Sequence, residues 1–152
     1  MLIIRKANET DVRAIAALEQ KIFSDPWSER SVHETLLEQH SILLVADKEG
    51  QVAGYCIAYS VLDEAEIARI AVDPACRRQG VGQEILEQLQ VMCCEKEISH
   101  LMLEVREGNN AARAFYRANR FEVDGIRKNY YQSPVENAVL MSKVIPTVPT
   151  RN

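Results

Sequence analysis

The chain has 152 residues, of which 47% are hydrophobic and 26% are charged, and its net charge at pH 7 is −4. This composition is ordinary for a globular protein, and the length is typical of one domain with its own core. The acidic balance argues against a nucleic-acid platform, because such proteins usually present a basic stripe to the phosphates. It suits a substrate that carries positive charge.

The sequence predicts neither a membrane anchor nor a metal site. No apolar run is long enough to span a bilayer, and no basic segment followed by an apolar stretch marks a secretory signal, so we expect a cytoplasmic protein. The cysteines Cys56, Cys76, Cys93 and Cys94 form no CxxC pair, and the histidines lack HExxH spacing. We therefore expect reduced thiols and no metal cofactor.

The first half of the chain predicts two helices and strands that pair antiparallel. Asn8, with Asp11 three residues later, has the pattern of a helix N-cap. The Asp-Pro-Trp-Ser segment at 25–28 ends this helix, and a second helix is expected to run from there towards His40. The strands expected in this half cover residues 2–5, 42–46, 52–60 and 66–72.

Two strand–helix units and a strand pair are predicted for the second half. Apolar residues at helical spacing predict a helix over 80–95, and Asn109 with Asn110 caps a smaller one. The strands expected here cover residues 101–105, 121–127 and 138–145. This order predicts one mixed α/β domain over residues 1–145, with antiparallel strands first and a βαβ-like centre. A flexible tail is expected over 146–152, where apolar periodicity ends.

The segment 70–82 carries the clearest sign of a ligand. A strand runs into a loop with two arginines and two glycines, and a long helix begins there. Gly80 and Gly82 let the backbone approach a ligand, and the N–H groups of a helix start favour an anion. Arg77 and Arg78 add charge and bidentate donors, so the loop is typical of a pyrophosphate site. A surface turn with two solvated arginines is the alternative; Walker A and GxGxxG patterns are absent.

The pattern Arg77-x-x-Gly80-x-Gly82 resembles the acetyl-CoA signature of the GNAT acetyltransferase superfamily, Gln/Arg-x-x-Gly-x-Gly/Ala. The likeness extends from Ile4 to about Val144, and within the superfamily it is strongest to the bacterial ribosomal-protein-alanine N-acetyltransferases (RimI type). The segments that carry it are 25–28, 70–74, 103–106, Asn109, 114–116, 129–131 and 136–138. The resemblance implies a GNAT fold and acetyl-CoA as cosubstrate.

The resemblance also implies roles for individual residues. The strand edge that would pair with the pantetheine arm is Ile70, Ala71 and Val72. The residues that would hold the pyrophosphate are Arg77, Arg78, Gln79, Gly80, Val81, Gly82 and Gln83. Asn109 would contact the cofactor's arm from the next helix. Trp27 and Tyr131 would line a peptide groove; a core anchor is the alternative for Trp27. Apart from the resemblance, Glu66 at the start of its strand is a second carboxylate, which would face the substrate amine or only position a water molecule.

Two residues are candidates for proton transfer. Glu104 lies in an otherwise apolar strand, where partial burial would raise its pKa and make it a better base; a carboxylate paired with Arg106 is the alternative. Tyr116 points about 100° away from Phe115 on a helix, so it can face the cofactor if Phe115 fills the core. A packed core tyrosine is the alternative for Tyr116. The resemblance makes Glu104 the general base and Tyr116 the general acid.

The chemistry favours a terminal amine as the acceptor. An α-amino group has a pKa near 8, whereas a lysine at about 10.4 would need roughly 4 kcal/mol to lose its proton at neutral pH. The resemblance implies the N-terminal alanine of ribosomal protein S18 as the acceptor. Two alternatives stay open, namely a GNAT enzyme for polyamines or aminoglycosides and a non-catalytic acyl-CoA-binding sensor.

Two positions depart from the family pattern. Residues 118–121 read Ala-Asn-Arg-Phe where relatives usually have a Leu-Gly-Phe turn, so either Asn119 is left-handed or the turn is shifted. Arg69 occupies a position where relatives often carry Asn or Thr. Its side chain is expected to enter the acceptor groove and to affect peptide specificity.

Overall fold

A seven-stranded sheet runs through residues 1–146, which are the residues that the computed structural model describes. The strands are β1 (Leu2–Lys6), β2 (Ser41–Lys48), β3 (Gln51–Val61), β4 (Glu64–Val72), β5 (His100–Arg106), β6 (Glu122–Tyr131) and β7 (Glu136–Val144). The helices are α1 (Val12–Ile22), α2 (Glu29–Leu37), α3 (Val81–Glu95) and α4 (Asn110–Ala118). None of these helices is both long and apolar enough to cross a bilayer.

The strand order is β1-β2-β3-β4-β5-β7-β6, and every neighbouring pair is antiparallel except β4 and β5. The antiparallel strands come first, and α3 connects the parallel pair as the crossover of a βαβ unit. The predicted mixed α/β fold is therefore confirmed. The predicted closing strand pair is also found, with β7 inserted between β5 and β6.

The parallel strands β4 and β5 separate part of the way along their length. They pair from Glu64 opposite His100 to Ile67 opposite Leu103, and no further. Strand β4 has a bulge at the same level. Ile57 of β3 pairs with Arg69 and Ala58 pairs with Ile67, so Ala68 has no partner on β3. Bulges bend a strand and are frequent next to active sites. The carboxyl-terminal halves of β4 and β5 thus leave a gap in the sheet.

The sheet separates two hydrophobic cores. Strand residues alternate between them, so in β3 Tyr55 and Ile57 pack towards α1 and α2 whereas Cys56 and Ala58 pack towards α3. On the α3 side Leu89 has no exposed surface. Strands β3 and β4 are therefore packed on both faces, beside the gap between β4 and β5.

Local capping explains where the first two helices begin and end. The Asn8 side chain accepts the Thr10 N–H and the Asp11 carboxylate accepts the Asn8 N–H, which is the predicted capping box, and a 3₁₀ turn leads into α1. Helix α2 ends at Leu37 and not near His40. The Ser41 hydroxyl caps the end of this helix, because it donates to the carbonyls of Thr35 and Glu38.

The turn after α4 is the shifted one of the two alternatives. Arg120 has the left-handed conformation, with φ of 70°. The alternative prediction of a left-handed Asn119 is wrong, because Asn119 has φ of −95°. The Asn119 amide is engaged elsewhere, since it donates to the Phe115 carbonyl at 2.9 Å and exchanges hydrogen bonds with Gln83 of α3. Of the tail expected over 146–152, Pro146 is described and the rest lies outside the described residues.

Candidate active site

A cavity of about 450 Å³ opens where β4 and β5 separate. Its walls come from both strands, from the loop between α1 and α2, from α4 and from the end of β6. It brings together six residues that the sequence predicted for the site, which are Trp27, Ile70, Glu104, Asn109, Tyr116 and Tyr131. A larger groove of about 720 Å³ lies beside α1 and α2 and contains none of the predicted site residues.

Glu104 faces this cavity from β5. Its neighbours Leu103 and Val105 are buried in the α3 core, so alternation sends Glu104 to the other face of the strand. Its Oε2 atom is sealed from solvent and makes no hydrogen bond within residues 1–146. Pairing with Arg106 is wrong, because Arg106 binds the Glu136 carboxylate at 3.2 Å. A buried polar atom without a partner is costly and is a frequent mark of a functional site.

Tyr116 lies across the cavity on α4. It is 8% exposed and its ring contacts Phe115 and Phe121 edge to face. Phe115 packs, partly buried, against the α3 core and also lines a second cavity next to the glycine-arginine loop. Burial raises the pKa of Tyr116 above its ordinary value. Tyr116 is therefore a protonated phenol at neutral pH that is packed in the core and also lines the cavity.

The strand edge predicted for cofactor contact lies between the two cavities. Ile70 lines the first and Val72 the second, while the Ala71 side chain is buried in the core on the α1 side. Because β4 has no β5 partner beyond Ile67, this edge offers backbone groups rather than the Ala71 side chain. Asn109, the N-cap of α4, accepts the Ala112 N–H at 3.2 Å.

The glycine-arginine loop forms the wall of a second cavity, of about 280 Å³. Arg78 and Gly80 have left-handed φ angles of 65° and 79°, and Gly80 is the residue from which α3 begins. Both arginines of the loop are exposed, and Arg77 Nε donates to the Val72 carbonyl at 3.3 Å. Gly82 also lines the cavity. The loop thus places exposed cations beside a helix N-terminus, which favours an anion.

Three predicted loop residues have side chains with partners in the protein. Gln79 accepts a hydrogen bond from Lys48 at 2.9 Å, Gln83 binds Asn119, and the Val81 side chain is buried in the α3 core. What these residues can offer an anion is therefore their backbone N–H groups. Lys48, at the end of β2, adds a cation beside the loop that the sequence did not predict, because the two segments meet only in the fold.

Tyr131 at the end of β6 closes the cavity on the other side. Tyr131 lines it, with the Arg106 guanidinium 4.5 Å from the ring centroid, and burial raises the pKa of Tyr131 to about 12. Tyr130 was not predicted, although interaction with the Glu104 carboxylate raises its pKa. Regular alternation would send adjacent tyrosines to opposite faces, but Asn129 is left-handed and the β6–β7 register shifts there.

The remaining predicted residues lie at the rim. Trp27 stacks on Tyr59 with ring centroids 6.5 Å apart, and its backbone N–H donates to Glu19. Glu66 is exposed on β4 and does not line the cavity, although its charge adds to the raised pKa of Tyr130. Arg69 does line the cavity. Over residues 1–146 there is no group of three or more His, Cys, Asp or Glu that could hold a metal ion.

A mixed sheet whose parallel strands separate beside a glycine-arginine loop at a helix N-terminus is the architecture of the N-acetyltransferase class. The chain belongs to the acetyltransferase (GNAT) family, whose sequence model matches residues 12–121. Members of this family use acetyl-CoA.

Curated relatives and a solved structure agree with this membership. The chain is 35% identical to the Escherichia coli K12 ribosomal protein bS18-alanine N-acetyltransferase, over 93% of this chain and 97% of that one. It is 37% identical to the Salmonella typhimurium protein of the same name, over 88% and 90% of the two chains. The crystal structure of the ribosomal-protein-S18-alanine N-acetyltransferase from Escherichia coli superposes with a TM-score of 0.90, at 34% identity, covering 100% of this chain and 98% of that chain.

Proposed function

We propose that this protein transfers an acetyl group from acetyl-CoA to the α-amine of a protein, and that its acceptor is the N-terminal alanine of ribosomal protein S18. The observation that carries the proposal is the unpartnered Glu104 carboxylate oxygen, which lies in the same cavity as the Tyr116 phenol. Relatives at 35% identity over nearly their whole length bear the name of that reaction. Such an acceptor places the reaction in the cytoplasm.

The cofactor side of the site is formed by the β4 edge and the loop that follows it. Acetyl-CoA, when bound, supplies the acetyl group as a thioester. The backbone of Ile70, Ala71 and Val72 would pair with its pantetheine arm, and Asn109 would contact that arm from α4. Arg77, Arg78 and the N–H groups of residues 79–83 would hold the pyrophosphate, because charge and helix N-terminus act together there. Residues 1–145 would serve as one catalytic unit.

Glu104 would act as the general base. An α-amine near pKa 8 is largely protonated at neutral pH and must lose a proton before it can attack. The Glu104 carboxylate takes that proton, directly or through a water molecule, and the amine nitrogen then forms its bond to the acetyl carbon. Because Oε2 has no partner among the described residues, accepting a proton there breaks no hydrogen bond.

Tyr116 would act as the general acid. As the carbon–sulfur bond breaks, Tyr116 donates its phenolic proton to the leaving sulfur, and the nitrogen, which has become positively charged by attacking, releases its extra proton to water as the amide forms. Burial raises the pKa of Tyr116, so the group is in its acid form throughout the neutral range. Its raised pKa also means that the phenolate regains a proton readily after each turnover.

The walls of the cavity favour a peptide over a polycationic amine. Trp27 and Tyr131 present aromatic surface, and the charged lining residues are two carboxylates, Asp25 and Glu104, and two guanidinium groups, Arg69 and Arg106. The lining therefore carries no net negative charge that would hold the several positive charges of a polyamine or an aminoglycoside. A sensor without turnover has no need of a buried phenol and a carboxylate in one cavity.

The test is CoA release with acetyl-CoA and three acceptors. The first is a peptide that carries the S18 amino terminus with its alanine, the second is the same peptide with a blocked terminus and an added lysine, and the third is a polyamine. We expect turnover on the free alanine terminus alone. In that assay Glu104→Gln should lower kcat by at least about 10²-fold, the lower range for general base catalysis. Turnover on the polyamine, or on the blocked peptide, would contradict the proposal.

A further inference from the structure

A fully buried carboxylate lies behind the loop that joins α1 to α2 (residues 23–28, the acceptor loop). Glu19 of α1 has no exposed surface. One of its oxygens accepts a hydrogen bond from the Tyr55 hydroxyl. The other accepts the Trp27 N–H at 2.9 Å and lies 3.2 Å from Arg69 Nε. Acidic side chains are almost never fully buried unless they are paired, so this cluster is a built feature of the fold.

Arg69 of β4 reaches the same loop from the sheet. Its guanidinium carbon lies 3.8 Å from the centroid of the Phe23 ring. Its Nη2 donates to the Asp25 carbonyl at 2.8 Å and lies 3.5 Å from the Asp25 carboxylate. Glu19 and Arg69 therefore hold three alternate residues of the acceptor loop, Phe23, Asp25 and Trp27.

These contacts matter for the cavity because the loop is one of its walls. Phe23, Asp25 and Trp27 line it together with Glu104. The Arg69 side chain is 13% exposed and turned towards Glu19 and the loop. Arg69 thus lines the cavity itself and also contacts the loop that forms the cavity wall.

We propose that the Glu19–Arg69 pair is a positioning device that holds the acceptor loop against the cavity, so that Trp27 forms a fixed wall of the acceptor site. Arg69 is in this sense a positioning residue. The proposal rests on the proposed function, because it assigns the loop to acceptor binding. Lysine is a poor replacement for Arg69, since an ammonium group cannot stack on Phe23 and donate from a planar fork at once.

The chain provides its own reporter, because Trp27 is its one tryptophan. Acrylamide quenching of tryptophan fluorescence therefore measures how well this loop is held, with or without substrate. The test variant is Arg69→Met, which keeps an apolar stem and removes the donors. The matched control is Arg13→Met, which removes a guanidinium from the exposed side of α1.

We expect Arg69→Met to raise the quenching constant of Trp27 at least about twofold and the KM for the peptide about tenfold, which is equivalent to about 1.4 kcal/mol. The KM for acetyl-CoA should stay within about twofold, because the cofactor side is untouched. Arg69→Lys should recover only part of both effects. The control Arg13→Met should change neither.

A double variant separates positioning from folding. Arg69→Met alone leaves the Glu19 charge buried without its cation, and this should lower the Tm by roughly 10 °C. Adding Glu19→Gln removes that charge and should restore most of the Tm, but neither the peptide KM nor the protection of Trp27. If the peptide KM of the double variant returned to the value of the unaltered protein together with the Tm, the proposal would be overturned.

Failure of the proposed function would be visible separately. If the unaltered protein turns over no peptide, the proposed function fails and the acceptor role of the loop fails with it. The quenching comparison still decides whether Glu19 and Arg69 hold the loop. Unchanged quenching in Arg69→Met would overturn the device whatever the activity.

Discussion

The cofactor side of the cavity is assembled from residues close together in the chain, whereas the acceptor side depends on residues far apart. The β4 edge, the glycine-arginine loop and the start of α3 lie within residues 70–83, and helix capping and left-handed turns set their shape. On the acceptor side, Glu19 meets Tyr55 and Arg69, and Arg106 meets the hairpin at Gln132 and Pro134. Under the proposed function, local geometry builds the site for the pyrophosphate and tertiary contacts build the wall that selects the acceptor.

This difference leads to a simple expectation. Changes on the cofactor side should alter the KM for acetyl-CoA alone, and changes on the acceptor side should alter the KM for the peptide alone. Changes at the reacting groups between them should alter kcat alone. The comparison fails if one side cannot be altered without the other.

The largest effect is expected at the reacting centre, in Tyr116→Phe. The ring packing against Phe115 and Phe121 is kept, and the hydroxyl has no hydrogen bond among the described residues to lose, so the Tm should change little. Loss of a general acid should lower kcat by about 10²-fold or more, with both KM values unchanged. Steady-state kinetics of CoA release measure this.

The pH dependence of kcat provides a second test of the role of Tyr116. Because burial raises the pKa of Tyr116, the phenol keeps its proton above the ordinary tyrosine value of about 10. The kcat of the unaltered enzyme should therefore hold up to about pH 10 and fall only above it. Tyr116→Phe should lack that alkaline fall, and a fall that begins near pH 8 would contradict the role of Tyr116.

A smaller effect is expected on the cofactor side, in Arg77→Ala. The Arg77 side chain is exposed, so its contact with a pyrophosphate is partly screened and the KM for acetyl-CoA should rise only about tenfold. Lys96→Ala, at the other end of α3, is the matched control and should leave this KM unchanged. Added salt should weaken acetyl-CoA binding more in the unaltered enzyme than in Arg77→Ala. A rise in the peptide KM would show that the two sides are coupled.

The sequence was informative where a residue's role follows from its neighbours in the chain. The capping box at Asn8, the helix that begins after Gly80 and the N-cap at Asn109 are local patterns, and all three are present. Glu104 stood out as a carboxylate in an apolar strand, and its position in the cavity follows from strand alternation. These residues could be identified before the fold was known.

Other features of the site depend on register and packing that no local pattern contains. Tyr130 approaches Glu104 only because the β6–β7 register shifts, and Phe115 lines the second cavity only because α4 packs beside the glycine-arginine loop. The partner of Arg106 was unclear for the same reason. Glu136, its actual partner, is 30 residues away in sequence.

The smallest effect is expected on the hairpin wall, in Arg106→Met. Arg106 donates to the carbonyls of Gln132 and Pro134 and to Glu136, and its guanidinium covers the Tyr131 ring, so it fastens the hairpin to β5. The pair is partly exposed, and Glu136 retains the Gly108 N–H as a second donor. Loss of the arginine should therefore raise the peptide KM only about threefold to fivefold.

The control for this variant is Lys128→Met, which removes a cation from an exposed position on strand β6 of the hairpin. If long-range contacts set acceptor selectivity, Arg106→Met should also narrow the difference in kcat/KM between the alanine peptide and a bulkier terminus, because Tyr131 is then free to move. Lys128→Met should leave that difference intact. If the difference in kcat/KM between the two peptides is unchanged in Arg106→Met, the acceptor loop alone sets this selectivity. The hairpin would then have a structural role only.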